Sequence, residues 1–242
     1  MNGKLSRRSR YHRREPHDGT IAARLNWLRA GVLGANDGII STAGLVIGVA
    51  AATSGTAEIA TAGVAGLVAG SVSMALGEYV SVSTQRDSER ALIAQERSEL
   101  AEMPDAEHEE LVGILRGQGM TEQTAEAAAT ELAARDPLAA HLRLELGLDA
   151  TDLALPWAAA GSSAGSFALG ALIPLLAVLL PPDSARIPVT FVAVLVALTL
   201  TGVLSARLGG SQVRSAVLRL VAGGTLAMLV TFGIGQLLNV TV

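Results

Sequence analysis

The chain has 242 residues, of which 50% are hydrophobic and 17% charged, and its mean hydropathy is +0.44. This composition is too apolar and too poor in charge for an ordinary soluble domain. Because there is no cysteine, disulfides, thiolate metal sites and cysteine nucleophiles are excluded. The net charge of −4 is modest, but 16 of the 22 acidic residues fall between Thr84 and Leu153.

Residues 1–26 are polar and form a basic N-terminal arm with arginines at positions 7, 8, 10, 13 and 14. The arm lacks the apolar core of a signal peptide, so we expect no cleavable leader. We expect it to be disordered and cytoplasmic. Five arginines at the terminus of a membrane protein do not indicate nucleic-acid binding.

Five apolar segments are each long enough to cross about 30 Å of hydrocarbon. They are Trp27–Ala52, Ile59–Ser81, Pro156–Leu180, Pro188–Leu208 and Val217–Leu238. The sequence therefore predicts an all-α membrane protein with five transmembrane helices and a helical domain inserted between the second and third. The predicted divisions are 27–83 for helices one and two, 84–153 for the acidic insert, and 154–242 for helices three to five.

The arginines also predict the orientation of these spans. By the positive-inside rule, the basic arm and the connection that carries Arg207 and Arg214 should be cytoplasmic. With five spans, both assignments hold only if the insert is cytoplasmic and the C-terminus lies outside. Without a targeting signal we expect the plasma (inner) membrane, whereas a vacuolar membrane would require a eukaryotic host.

Two acids and a thioether lie within the first two apolar segments. A charge at bilayer depth costs at least ~2.5 kcal/mol and usually marks an ion pathway. Asp37 is such a charge, and the next segment carries Met74 and Glu78, one helical turn apart. The alternatives are that Asp37 pairs with Arg29 near the interface, that Glu78 is an interfacial acid, and that Met74 fills the core.

The insert is predicted to be helical throughout. No proline interrupts Glu58–Leu100, so the second span should continue into the cytoplasm until Pro104. Three shorter helices should follow: about Asp105–Gly117, Thr121–Arg135 with Thr121 as a cap, and a last one from Asp136-Pro137 to about Gly147.

Acids three or four residues apart on these helices can project from one face and bind a metal together. The candidate pairs are Glu96/Glu99, Glu107/Glu110 and His141/Glu145. Carboxylates with an imidazole suit Fe²⁺, Mn²⁺ or Zn²⁺ better than Ca²⁺ or Mg²⁺. The alternative is a solvated face held by salt bridges, but nine acids between residues 84 and 110 face only three arginines.

No enzyme signature is present in the sequence. The EF-hand loop, HExxH, GxxxxGK[ST] and GxSxG are absent, and no Glu-x-x-His pair suggests a di-iron site. We therefore expect neither an enzyme nor a prosthetic group.

Three runs carry a resemblance to a known family: GANDG at 34–38 followed by IISTAGLVIGV, SMALGEYVSVSTQRD at 73–87, and GALIPLL at 170–176. With the acidic insert and the five-span layout, they resemble the vacuolar iron transporter family, the plant and yeast vacuolar Fe²⁺/Mn²⁺ importers and their bacterial relatives. The resemblance covers the chain from about Asn26 onward.

This resemblance implies a homodimer with an ion path between the subunits, fed by a cytoplasmic metal-binding domain. Asp37 and Met74 occupy the positions of the family's membrane metal site. The insert's ligands would be Glu96, Glu99, Glu107, Glu110 and Glu145. One departure is that His141 and Leu142 stand where plant members have methionines, so that an imidazole replaces soft sulfur.

We therefore expect the protein to export Fe²⁺, with Mn²⁺ as an alternative ion, from the cytoplasm in exchange for protons. Its partners would be membrane lipid, divalent metal ions, protons and a second copy of the chain. The rivals are a Mn²⁺-dominant or broad divalent exporter, a membrane-anchored metal buffer or sensor, and a structural oligomer.

Overall fold

A computed structural model of the chain describes residues 20–149 and 154–239, with side chains from Arg29 onward. Within these residues the structure is helical and contains no strand, so the predicted all-α class is confirmed. Positions 1–19 of the basic arm and 150–153 of the insert lie outside the described residues. The elements are α1 (Thr20–Ala52), α2 (Thr56–Glu102), α3 (Pro104–Gly117), α4 (Glu122–Arg135), α5 (Pro137–Leu144), α6 (Pro156–Leu179), a short 3₁₀ helix (Asp183–Ala185), α7 (Arg186–Leu208) and α8 (Val213–Asn239).

Five of these helices are long and apolar enough to cross a membrane. They are α1 from Arg29, α2, α6, α7 with the 3₁₀ turn before it, and α8. The five predicted spans are thus confirmed by length and composition. Helix α2 has 47 residues and is roughly 70 Å long at 1.5 Å per residue. Because the hydrocarbon is only about 30 Å thick, α2 cannot lie within it along its whole length.

The first of two compact units, called the membrane unit below, comprises residues 1–78 and 158–242 as far as they are described. Apolar side chains from α1, α7 and α8 form its main core: Ile39, Ala43, Ile47, Val194, Ala197, Leu198 and Met228. A second cluster joins α1, α2 and α6 through Val46, Ile59, Leu175 and Val178. These clusters set the position of α1 against the other helices of the unit.

Helices α1 and α6 approach each other closely because glycines face the contact. A methyl group at Gly38 would overlap the backbone oxygen of Phe167, and one at Gly170 would overlap that of Ala35. Only a residue without a side chain allows backbones to come this near. The polar stretch around Asp37 is therefore held directly against α6.

Arg186, at the start of α7, is buried and ties together two connections of the membrane unit. Its Nη1 donates to the backbone oxygen of Ser54 at 3.1 Å, and its Nη2 donates to Thr56 Oγ1 at 2.6 Å. The same Nη2 lies 2.9 Å from Asp183 Oδ1. These contacts fix the α1–α2 turn to the connection between α6 and α7.

The second unit, called the helical insert below, comprises Tyr79–Trp157 as far as it is described. Its core is small and apolar: Leu111, Val112, Leu115, Ala125, Ala129 and Ala140. As predicted, Thr121 caps α4 by accepting from the Thr124 N–H. Asp136 caps α5 by accepting from the Ala139 N–H at 3.0 Å. Helix α5 ends at Leu144, before the predicted end at Gly147, whose φ of +64° is left-handed and not helical.

Candidate metal sites

The membrane unit contains a cavity of about 210 Å³ between α1, α2 and α6. The structure brings two predicted ligands, Asp37 from α1 and Met74 from α2, to this one cavity. Since a water molecule takes up about 30 Å³ in the liquid, the space is large enough for a hydrated ion. The lining consists of Asp37, Ser41, Thr42, Leu45, Gly66, Gly70, Ser73, Met74 and Phe167.

Small residues on α2 allow the cavity to form. A methyl group at Gly70 would overlap the ring of Phe167, and one at Gly66 would overlap Leu45. Phe167 itself is buried. The cavity thus combines one apolar wall with the polar side chains of α1 and α2.

The carboxylate of Asp37 has no counter-charge among the described residues of the membrane unit. No ion pair with Arg29, or with any other basic side chain of the described residues, is present. Ser41 Oγ donates to the backbone oxygen of Asp37 at 2.6 Å and not to its carboxylate. In the single chain the Asp37 side chain is exposed. The carboxylate is therefore free to receive a cation or a proton.

Glu78, the third predicted intramembrane ligand, lies one turn after Met74 on α2 and is half-buried. It is not among the described residues that line the cavity. Its role in handing over the ion stays a prediction.

Within the helical insert, three predicted ligands from three different helices meet. Glu96 comes from α2, Glu107 from α3 and His141 from α5, and one ligand atom of each lies within 4.8 Å of the others. His141 Nδ1 lies 3.1 Å from Glu96 Oε1 and 3.7 Å from Glu107 Oε2. Two atoms each bound about 2.1 Å from one ion are roughly 3.0–3.4 Å apart. The cluster therefore has nearly the spacing that a shared transition-metal ion requires.

All three of these side chains are buried: Glu96 is 3% exposed, Glu107 5% and His141 2%. Moreover, Glu96 Oε1 accepts no hydrogen bond from any described residue, although Nδ1 of the imidazole is near. A buried carboxylate oxygen without a donor is costly in a folded protein. Its orphaned oxygen fits a site that a cation completes.

Burial raises the pKa of Glu96 above its ordinary value, and the charge of Glu145 raises it further, while His141 acts in the opposite direction. Burial likewise raises the pKa of Glu107, with the charge of Glu110 as the next cause. Both groups are thus arranged so that an added positive charge would favour their ionised forms.

The remaining predicted ligands of the insert surround this cluster. Glu145 Oε2 lies 3.5 Å from His141 Nδ1 with its side chain partly exposed, so it can reach the same ion. Glu99 is half-buried and accepts from Gln95 Nε2 at 3.0 Å. Glu110 is exposed. Glu99 and Glu110 contribute negative charge near the cluster but lie outside the group of three ligand atoms.

The cavity also contains polar and aromatic residues that the sequence interpretation did not single out. Thr42 lies five residues after Asp37 on the same helix, and a hydroxyl within one and a half turns of a predicted ligand is the signal that could have found it. Phe167 belongs to a distant apolar segment, and no pattern in the sequence indicates that it lies behind Asp37.

Comparison with known proteins places this arrangement in a family. The VIT family profile matches residues 28–236. The chain belongs to the VIT family. It is 38% identical over 230 residues to a vacuolar iron transporter of Acanthamoeba castellanii, covering 92% of this chain and 82% of the relative.

Plant members of the VIT family are similar to a comparable degree. Vacuolar iron transporter homolog 1 of Oryza sativa subsp. japonica is 38% identical, over 93% of this chain and 80% of its own length. Vacuolar iron transporter homolog 1 of Arabidopsis thaliana is 37% identical, over 89% of this chain and 85% of its own length. The resemblance drawn from the sequence runs is thereby confirmed at the level of the family.

Proposed function

We propose that this VIT-family chain is a divalent metal transporter that exports Fe²⁺, with Mn²⁺ as an alternative ion, from the cytoplasm in exchange for protons. The observation that carries the proposal is the membrane cavity lined by Asp37 and Met74, with a carboxylate that has no counter-charge among the described residues. The names of the iron-transporting relatives support the choice of iron. The proposal involves no prosthetic group and no enzymatic step.

The ligands of the cavity suit a transition-metal ion. Carboxylate and hydroxyl oxygens from Asp37 and Ser73 are hard donors, and the thioether of Met74 is soft. Such a mixed set is better matched to Fe²⁺ than to Mg²⁺ or Ca²⁺, which take oxygen ligands alone. Few strong ligands also allow the ion to leave again, as transport requires.

The helical insert, in this proposal, is a cytoplasmic metal-binding domain that collects ions at low free concentration. Glu96, Glu107 and His141 supply the central site, and Glu145 supplies a fourth ligand. Glu99 and Glu110 attract cations to it. Glu78, on the helix that continues into the insert, would assist transfer toward the membrane.

Protons are the proposed counter-ion because carboxylates bind either a proton or a metal ion, and the two compete for the same oxygens. On the more acidic far side, a proton binding to Asp37 would displace the metal. The proton then leaves on the cytoplasmic side when the next metal ion binds. This exchange requires no group other than Asp37 to change charge in the cavity.

A homodimer is proposed because Asp37 is exposed on the single chain although its segment is apolar enough to lie in a membrane. A carboxylate facing hydrocarbon costs at least ~2.5 kcal/mol. A second copy that covers the cavity would replace lipid by protein and enclosed water. The ion path would then lie between the two subunits.

The proposed orientation rests on the arginines. Arg207 and Arg214 flank the α7–α8 connection, and the positive-inside rule places that connection with the N-terminal arm in the cytoplasm. The insert then lies on the same side and the C-terminus lies outside. The proposed location is the inner (plasma) membrane.

A second candidate function is a membrane-anchored metal buffer or sensor. It is favoured by the fact that the three-ligand cluster lies wholly within the helical insert. A buffer has no use for Asp37, however, whereas a transporter requires it. The two candidates therefore differ in what a change at Asp37 does.

The test is Fe²⁺ uptake into proteoliposomes under anaerobic conditions with a pH probe in the lumen. We expect uptake that accelerates when the lumen is acidic, raises lumenal pH and is lost in Asp37→Asn. The matched control is Glu131→Gln on the exposed surface of α4, which should transport normally. Metal bound to the protein without any flux would favour the buffer or sensor.

A further inference from the structure

Several hydroxyl groups in the membrane unit donate a hydrogen bond to their own helix. Ser41, Ser166, Thr190, Thr199 and Thr231 each donate to a backbone oxygen four residues earlier. Such bonds are the ordinary way for serine and threonine to satisfy a hydroxyl inside an apolar helix. In each of them the O–H donor is occupied.

Thr42 departs from this pattern. Its side chain is only 2% exposed, yet Oγ1 has no hydrogen-bond partner among the described residues. Ser71 and Ser163 also have unpartnered hydroxyls, but neither lines the cavity that contains Asp37 and Met74. Thr42 does line it.

A buried hydroxyl without a hydrogen-bond partner lowers the stability of a folded protein. The two other hydroxyl side chains that line the cavity, Ser41 and Ser73, are both exposed on the single chain. Among the described residues that line the cavity, Thr42 is the one that is fully buried and has a hydroxyl oxygen without a hydrogen-bond partner. A ligand in the cavity would use that atom.

We propose that Thr42 contributes a neutral oxygen ligand, directly or through a bound water, to the ion held by Asp37 and Met74. This inference rests on the proposed transport function. The hydroxyl makes the ligand set harder, because it adds oxygen to a carboxylate and a thioether. Thr42 therefore favours Mn²⁺ relative to softer divalent ions, since oxygen ligands suit Mn²⁺.

The experiment compares Thr42→Val with Thr42→Ser in the reconstituted full-length protein. Valine keeps the shape and removes the hydroxyl, whereas serine keeps the hydroxyl. We expect the half-saturating Mn²⁺ concentration to rise about tenfold in Thr42→Val, which corresponds to about 1.4 kcal/mol of lost binding free energy. The rise for Fe²⁺ should be smaller, and Thr42→Ser should behave like the unmodified protein.

Thr190→Val is the matched control, because Thr190 is buried and its hydroxyl already donates to the Arg186 backbone oxygen. It should leave the ratio of Mn²⁺ to Fe²⁺ transport unchanged. Thermal denaturation of each variant in detergent separates ion binding from folding. If Thr42→Val and Thr42→Ser lose stability together and affect both ions equally, Thr42 is structural and the proposal is wrong.

Asp37→Asn, measured in parallel, separates this proposal from the one it rests on. Normal kinetics in Thr42→Val beside an inactive Asp37→Asn overturns only the role of Thr42. Normal transport in Asp37→Asn overturns the transport route itself and with it the role of Thr42.

Discussion

Replacing Glu107 by glutamine should have opposite effects on the metal-free and metal-bound forms of the helical insert. Glutamine is nearly isosteric but carries no charge. The ligand atoms of Glu96, Glu107 and His141 lie within 4.8 Å of one another. At 4.8 Å, two ionised carboxylates repel each other by about 3.5 kcal/mol for an effective dielectric constant of about 20. Proton uptake and the nearby imidazole reduce this repulsion.

Without metal, Glu107→Gln should therefore stabilise the insert. The sign follows from the pKa of Glu107, which burial raises, because a raised pKa means that the folded insert disfavours the ionised group. With metal, the sign reverses, since a direct ligand is lost. Changes to groups that only orient ligands weaken metal binding about 10–100-fold. Loss of a direct ligand should weaken it by at least ~100-fold, or about 2.7 kcal/mol.

The assay uses the full-length protein in detergent. Competition with a fluorescent chelator gives the Mn²⁺ affinity, and hydrogen exchange of peptides from the insert gives its stability with and without metal. Glu109→Gln is the matched control, because Glu109 lies on the same helix and is exposed. A less stable metal-free insert in Glu107→Gln, together with unchanged metal affinity, would refute the argument and indicate a purely structural ion-pair cluster.

Three further predictions concern protons, sulfur and packing. The pKa values of the buried Glu96 and Glu107 are raised, so their burial destabilises the insert least below the ordinary value of 4.5 and more as the pH rises through the raised values. Protons therefore compete with the metal at a higher pH than usual. As the pH is lowered from neutral, metal affinity should begin to fall at a higher pH than for a solvent-exposed pair of glutamates. Met74→Leu keeps the volume but removes the thioether, so Fe²⁺ uptake should fall more than Mn²⁺ uptake, and equal losses for both ions would argue against a sulfur ligand. Gly170→Ala should destabilise the membrane unit by about 1–3 kcal/mol, because the new methyl group meets the Ala35 backbone. Gly161→Ala is the control, because no described heavy atom lies within 4 Å of the new methyl group. Its melting temperature should be near that of the unmodified chain.

The fold was largely predictable because the signals are local. Hydropathy located the five spans, and the absence of proline from residue 58 to residue 100 predicted the continuous α2. Thr121 and Asp136 marked the starts of α4 and α5 through their capping oxygens. The end of α5 was less predictable, because the sequence alone does not show whether residues before Gly147 keep helical dihedral angles.

The candidate sites were only partly predictable, because they depend on how helices are rotated against one another. Spacing grouped Glu107 with Glu110 as equals, yet Glu107 is buried beside His141 and Glu110 is exposed. Spacing likewise paired His141 with Glu145, whereas its nearest carboxylate is that of Glu96, from a distant part of the chain. Such contacts follow from tertiary packing, which no local pattern contains.

The most direct test of the central claim is Fe²⁺ uptake into anaerobic proteoliposomes over a wide range of external Fe²⁺ concentrations. It compares the unmodified protein with Asp37→Asn and Glu107→Gln. If the insert collects ions and the Asp37 cavity conducts them, Glu107→Gln raises the half-saturating concentration but reaches the same maximum rate, whereas Asp37→Asn shows no flux at any concentration. A maximum rate in Asp37→Asn equal to that of the unmodified protein would contradict the account, because the ion would then cross the membrane without the cavity carboxylate.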